Sequence, residues 1–207
     1  MDSVSKPESD GWIGKRESNT FENYQQAEYD KAISFCKNKR TAIDLGGNIG
    51  MMAYRMCKDF DEVHSFEPLF ADHIIKNTQE FNNITIYPVA VGDKKDTVTM
   101  RVGMYHSGGS NIVTEKQSNQ TYAEDVEVVV LDDYNFEKVD FLKVDVEYYE
   151  YQALCGALET IKRCSPTILI EIHEDNPDKV NIFNLLDNLA YNAVKAGGEG
   201  LDWIFKK

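Results

Sequence analysis

Cysteine is scarce and unpatterned in this sequence. The four residues, Cys36, Cys57, Cys155 and Cys164, form no C-x-x-C pair and match no zinc-ligand spacing. A zinc ribbon is thereby excluded, and the expectation is free thiols in a reducing cytoplasm. Long apolar runs are absent too. None reaches the roughly 18 residues of a membrane span, and the polar opening MDSVSKPESD does not read as a secretory leader. Positive charge is in deficit, with 22 Lys and Arg against 35 Asp and Glu and a formal net charge of -13. Such a chain repels phosphate backbones, which disfavours nucleic acid as a partner. No internal repeat or interdomain linker is visible, and nothing fixes an oligomeric state.

What is present suits a globular domain. The 207 residues are 42% apolar, enough for a core. Residues 1–20, rich in Ser, Glu, Gly and Lys, read as a mobile arm on which Trp12 and Ile13 can dock; residues 21–207 read as one domain. Tyr29, Ala32, Ile33 and Cys36 recur at helical spacing. TAID is a short buried strand, followed by a helix marked by Ile49, Met52, Ala53, Met56 and Phe60. EVHSFEP and ITIYPVAV are further strands, with a polar helix over about 71–81 between them. TVTMRVG and VEVVVLDDY flank the polar loop 105–124, an antiparallel insertion. VDFLKVDV, a helix through Tyr151, Leu154, Cys155, Leu158 and Ile161, the strand TILIEIH, the helix NIFNLLDNL and a closing hairpin complete the chain. Alternating strands and helices imply an α/β fold, a mainly parallel sheet covered on both faces. Ligands bind such sheets at the carboxyl ends of the strands. Asp44, Glu67, Gly92, Asp145, Glu171 and His173 all fall at expected strand ends.

The stretch TAIDLGGNIG, residues 41–50, carries the strongest signal. A dinucleotide fingerprint needs G-x-G-x-x-G. With its last two glycines on Gly47 and Gly50, its first falls on Leu45, and the fingerprint fails. A phosphate-binding loop ending G-K-[ST] fails as well, because Met51 and Met52 follow Gly50 and no lysine stands near the turn. What remains is an acid, Asp44, ahead of the glycines, and a second, Glu67, at the end of the next strand. An acid roughly 20 residues downstream can accept ribose hydroxyls. Asp44 suits a ligand with positive charge beside the turn. S-adenosylmethionine, with its ammonium and sulfonium, fits better than a pyrophosphate-bearing cofactor.

Five segments, AIDLGGNIG, VHSFEP, VAVGD, VDFLKVDVE and PTILIEIHE, occur in an order and spacing that resembles the FkbM family of class I S-adenosylmethionine-dependent methyltransferases. The resemblance covers roughly residues 40–175. It implies a Rossmann-like seven-stranded sheet with the last strand antiparallel, and O-methylation of hydroxyls on sugars or other small metabolites. Carried over by position, the turn at Asp44, Gly46, Gly47, Asn48 and Gly50 holds the methionine part. Glu67, followed by Pro68, holds the ribose; Ala90, Val91 and Asp93 flank the adenine; Asp145 stands at the methyl-transfer end. The family's usual D-x-E-G is broken here, because Glu147 is followed by Tyr148 and Tyr149. Tyrosine fills space that glycine leaves open and adds a stacking surface, or else it packs a helix start.

A hydroxyl acceptor needs a general base. Asp145, Glu147, Glu171 and His173 are the candidates, His173 first, since imidazole titrates near neutrality. Glu171 interrupts an apolar strand, where it orients His173 or pairs with Lys143. The same acids can hold a divalent metal, which the spacing does not require and which is not expected. The flexible loop YHSGGSN offers His106, Ser107 and Ser110, either as a closure over an acceptor or as a plain hairpin turn. The leading function is methyl transfer to a small molecule or glycan. RNA methylation, or a non-catalytic module that binds S-adenosylmethionine, are the alternatives.

Overall fold

A computed structural model describes residues 23–101, 111–112, 123–197 and 200–207. The arm 1–20 and most of loop 105–124, with His106, Ser107 and Ser110, lie outside them. In chain order the elements begin with α1 (Gln26–Ile33), β1 (Thr41–Leu45), α2 (Met51–Asp59), β2 (Glu62–Phe66), α3 (Ala71–Asn77) and β3 (Ile84–Tyr87). A smaller unit follows: β4 (Ala90–Val91), β5 (Asp96–Arg101), β6 (Asn111–Ile112) and β7 (Ala123–Val129). After a 3₁₀ turn at Leu131–Tyr134 come β8 (Val139–Val144), α4 (Glu150–Gly156), α5 (Leu158–Cys164), β9 (Thr167–Glu171), α6 (Lys179–Asn188), β10 (Asn192–Lys195) and β11 (Asp202–Lys206).

The main sheet has seven strands in the order β10-β11-β9-β8-β1-β2-β3. β1 pairs parallel with β2 and β8, whereas β11 runs antiparallel to β9 and β10. This is the mainly parallel sheet with a reversed last strand. Successive strand residues face opposite sides, and the two cores follow that alternation. Ile43, Leu142, Ile168, Ile170 and Phe205 join α4, α5 and α6 on one face. Ala42, Phe141, Leu169 and Ile204 join Tyr29 and Ala32 of α1 and Met52 and Met56 of α2 on the other. All five residues of β1 are buried, as expected of a strand covered on both sides.

The smaller sheet, in the order β4-β7-β5-β6, is the insertion. Its β5–β7 pairing is antiparallel, and β4 joins β7 in parallel. ITIYPVAV, expected as one strand, is therefore two. Pro88 has no N–H to contribute to a ladder; the chain leaves the main sheet after Tyr87, and Ala90–Val91 pairs with β7 instead. The helix expected through Tyr151 and Ile161 is also two. The Asp132 carboxylate accepts the backbone N–H groups of Glu159 and Thr160 at 2.9 and 2.8 Å and caps a new first turn. Three other elements stop earlier than the spacing suggests: α1 ends before Cys36, α3 ends at Asn77, and the strand VEVVV gives way to the 3₁₀ turn at Leu131.

The chain runs from β1 outward through β2 and β3, then returns to start the other half of the sheet at β8. The strand order reverses between β1 and β8, where an open α/β sheet forms its ligand crevice.

Candidate active site

The glycine turn leaves the end of β1 in a left-handed conformation, with φ of 82° at Gly46, 48° at Asn48 and 92° at Gly50. Gly46 meets β8 directly: a Cβ there would lie 1.8 Å from the Asp145 carbonyl oxygen. A Cβ on Gly47 would lie 2.3 Å from Ser65 Oγ. The glycines thus let the turn sit between β8 and β2, while the Gly46 and Gly47 N–H groups donate to the Phe66 carbonyl at 3.0 and 3.3 Å.

Glu67 locks the turn from the β2 side. Its carboxylate accepts the Asn48 N–H at 2.8 Å on Oε2, and the Leu69 and Phe70 N–H groups at 2.8 and 3.1 Å on Oε1. Burial nevertheless leaves its pKa raised; the three hydrogen bonds only oppose that displacement.

Lys143 holds the turn from below. Its ammonium donates to the Gly46 carbonyl at 2.7 Å and lies 3.3 Å from both Asp44 and Asp145. Burial opposes its charge, but Asp145 and Asp44 outweigh it and leave the pKa above the ordinary lysine value. Two sequence expectations change here. A lysine does stand at the turn, brought by β8 rather than by neighbouring sequence. Lys143 forms its ion pairs with Asp44 and Asp145, not with Glu171. Asp44 is fully buried; besides Lys143 it meets the Ser65 hydroxyl at 3.2 Å. The cation that Asp44 faces belongs to the protein.

Above the turn opens a cavity of about 300 Å³. Its wall includes Gly46, Gly47, Asn48, Glu67, Pro68, Ala90 and Val91 together with Asp145, Glu147 and Glu171. Asp44, Gly50, the exposed Asp93 and His173 stand outside that wall. His173 instead lies behind Glu147, its Nε2 3.7 Å from the Glu147 carboxylate. Residues that motif reading passed over also line the space. Tyr24 comes from the segment ahead of α1, and Phe70 and Met100 from the join with the smaller sheet. Lys143 had one readable signal, a charge inside an apolar strand; Tyr24 and Met100 had none.

The acids that follow β8 and close β9 are crowded. Asp145, Glu147 and Glu171 each place an oxygen within 4.8 Å of the others. Burial, then the neighbouring Asp145 charge, pushes Glu147 up to about 7 and Glu171 up to about 8. Asp202 rises to about 6 for the same two reasons. Three convergent oxygens can ligate a divalent cation, although the Lys143 ammonium already sits on Asp145.

The residues fit an aminoacyl sulfonium nucleoside. Asn48 lines the cavity, and its Oδ1 is buried without a hydrogen-bond partner, an orphaned acceptor at the turn. Beside it, Glu67 Oε2 accepts a single N–H and has a further lone pair for a ribose hydroxyl. Fold and site together define the Rossmann-like class I methyltransferases, whose methyl donor is S-adenosylmethionine. Solved structures share the fold. One is a SAM-dependent methyltransferase from Aquifex aeolicus, with a TM-score of 0.50 and 12% identity over 91% of each chain. An rRNA methylase from Streptococcus thermophilus has a TM-score of 0.51 and 11% identity over 86% of this chain and 90% of that one.

The profile of the methyltransferase FkbM domain matches residues 44–193, and the chain belongs to that family. Methyltransferase FkbM from Methylobacillus flagellatus KT superimposes with a TM-score of 0.56 at 18% identity, over 81% of this chain. The chain spans 43% of the length of that protein. No curated protein matches the sequence.

Proposed function

We propose that this protein moves a methyl group from S-adenosylmethionine to a hydroxyl oxygen of a small-molecule or glycan acceptor, in the cytoplasm. One observation carries the reading. The glycine turn, Glu67 and the carboxylates of β8 and β9 share one cavity at the carboxyl ends of adjacent strands. The four free thiols suit a reducing compartment.

S-adenosylmethionine supplies an activated methyl group whose departing sulfur leaves uncharged, so the protein's task is mainly positioning. Asn48 and the turn hold the amino-acid end, Glu67 a ribose hydroxyl, and Ala90 and Val91 give an apolar wall to the base. The acceptor hydroxyl must lose its proton as it attacks. Glu147 is the base in this reading rather than His173, because Glu147 lines the cavity and His173 does not. With a pKa near 7, Glu147 can take a proton at neutral pH and release it afterwards. The net charge of -13 weighs against an RNA acceptor.

The test has two parts. S-adenosylhomocysteine should bind the purified protein in calorimetry; folded protein that does not bind it sinks the whole reading. Transfer of labelled methyl to a panel of glycosides and phenols should then reveal the acceptor. On that acceptor, Glu147→Gln should lower turnover by roughly 10²–10⁴-fold and leave S-adenosylhomocysteine affinity nearly unchanged. Turnover should rise as pH rises through about 7, because the base acts only when ionised. A Glu147→Gln variant with full turnover removes Glu147 from the role.

A further inference from the structure

Tyr148 replaces the glycine usual after the acid of this motif, and the backbone keeps the conformation that glycine favours. Glu147 and Tyr148 have φ of 50° and 71°, two consecutive left-handed residues that are not glycine. This double turn sends the two side chains different ways. Glu147 faces the cavity, while Tyr148 lies outside it and is 37% exposed. The Tyr148 ring stacks on His173 at 4.9 Å between centroids and 18° between planes. Its hydroxyl donates to Asp175 at 2.9 Å. The Glu150 carboxylate ties the same two loops together, accepting the Tyr148 N–H at 3.0 Å and the Asn176 amide at 2.7 Å. His173 is thus gripped between the loop after β8 and the loop after β9, with its Nε2 turned to Glu147.

We propose that Tyr148 is a positioning residue: it fixes His173 against Glu147, so that the pair forms a proton exit from the cavity to solvent. The inference rests on Glu147 being the base. As the acceptor oxygen bonds to carbon and the carbon–sulfur bond breaks, the acceptor O–H proton passes to the Glu147 carboxylate. The pair closes from 3.7 Å to hydrogen-bond reach, and Glu147 passes the proton to Nε2 of His173, whose partly exposed ring releases a proton to water. Glu147 returns ionised, and one proton leaves per methyl transferred. A cavity carboxylate surrounded by Asp145, Glu150 and Glu171, with Lys143 as the nearby cation, needs such an exit. The proton taken from each acceptor must leave Glu147 before the next turnover.

The test needs no acceptor. Ring signals of His173 are followed by NMR between pH 5 and 9 in the protein saturated with S-adenosylhomocysteine. In the wild type these signals should carry an inflection at the Glu147 midpoint, and Glu147→Gln should abolish it. Tyr148→Phe, which keeps the ring, should keep the inflection. Tyr148→Gly, and Tyr148→Asn as a second variant that tolerates left-handed backbone, should lose it while retaining S-adenosylhomocysteine affinity within about twofold. A wild type without the shared inflection overturns the proposal, as does its persistence in the Gly and Asn variants. Failure of the wild type to bind S-adenosylhomocysteine instead overturns the functional reading on which the proposal rests.

Discussion

Glu67 shows how one side chain serves structure and site together. Three backbone N–H groups from two different loops converge on its carboxylate, so its removal strands buried donors and, in the proposed reading, also takes away the ribose contact. Hydrogen bonds to a charged group contribute about 1.5–3 kcal/mol each, and an unsatisfied buried donor costs about 1–3 kcal/mol. Glu67→Gln keeps the shape and one acceptor oxygen but turns the other terminal atom into a donor facing an N–H. It should weaken S-adenosylhomocysteine binding by roughly 10- to 100-fold, and lower unfolding free energy by about 2–4 kcal/mol. Calorimetry and urea denaturation read the two effects separately. If only affinity falls, the three hydrogen bonds do not hold the turn. If only stability falls, Glu67 is not a ligand contact.

Elements are placed in this fold by close approaches that only glycine allows. Gly156, in the last turn of α4, presses on β4: a Cβ there would lie 1.9 Å from the Gly92 carbonyl oxygen and 2.8 Å from its carbon. Backbone meets backbone, so no side-chain rotation relieves the clash. Gly156→Ala should force α4 away from β4 and lower stability by about 1–3 kcal/mol, although alanine favours a helix by about 1 kcal/mol. Thermal denaturation of Gly156→Ala decides between clash and propensity; an unchanged or higher Tm sides with propensity. The same packing explains where the sequence was legible. Periodicity placed β1, α2, β2, β8 and β9, because parallel strands buried on both faces are nearly all apolar and α2 carries a broad apolar face. The break at Pro88 has a local cause, the missing N–H, but the new partner β7 and the Asp132 cap that splits the helix at Ala157 come from distant sequence. In the site, Asp145, Glu147 and Glu67 were visible as acids closing apolar strands. Lys143 as the partner of Asp44, and Tyr24 on the cavity wall, depended on three-dimensional juxtaposition.

The whole molecule carries an electrostatic load that folding concentrates. A formal charge of -13 is spread over the chain, yet Glu147, Glu171 and Asp202 gather around Asp145 with Lys143 as the cation between the halves of the site. Their folded-state values of about 7, about 8 and about 6 all lie above those of the unfolded chain. A carboxyl with a raised folded pKa binds its proton more tightly in the native state. Its contribution to stability is therefore complete below the unfolded pKa, near 4, and is lost as pH rises through the folded pKa. These groups set the window for that loss from about pH 5 to above 8. Each unit of displacement corresponds to about 1.4 kcal/mol before solvent screening, and the three groups are coupled, so a total of only a few kcal/mol is expected. At roughly 2–4 °C per kcal/mol for a chain of this size, Tm should fall by about 5–10 °C between pH 5.5 and 8.5. Glu171→Gln removes the highest of the three titrations and its repulsion of Asp145. It should flatten the upper half of that fall and raise Tm at pH 8.5 relative to wild type. A Tm that climbs with pH over this range, or a Glu171→Gln profile parallel to wild type, shows that the acids are not held protonated by the fold.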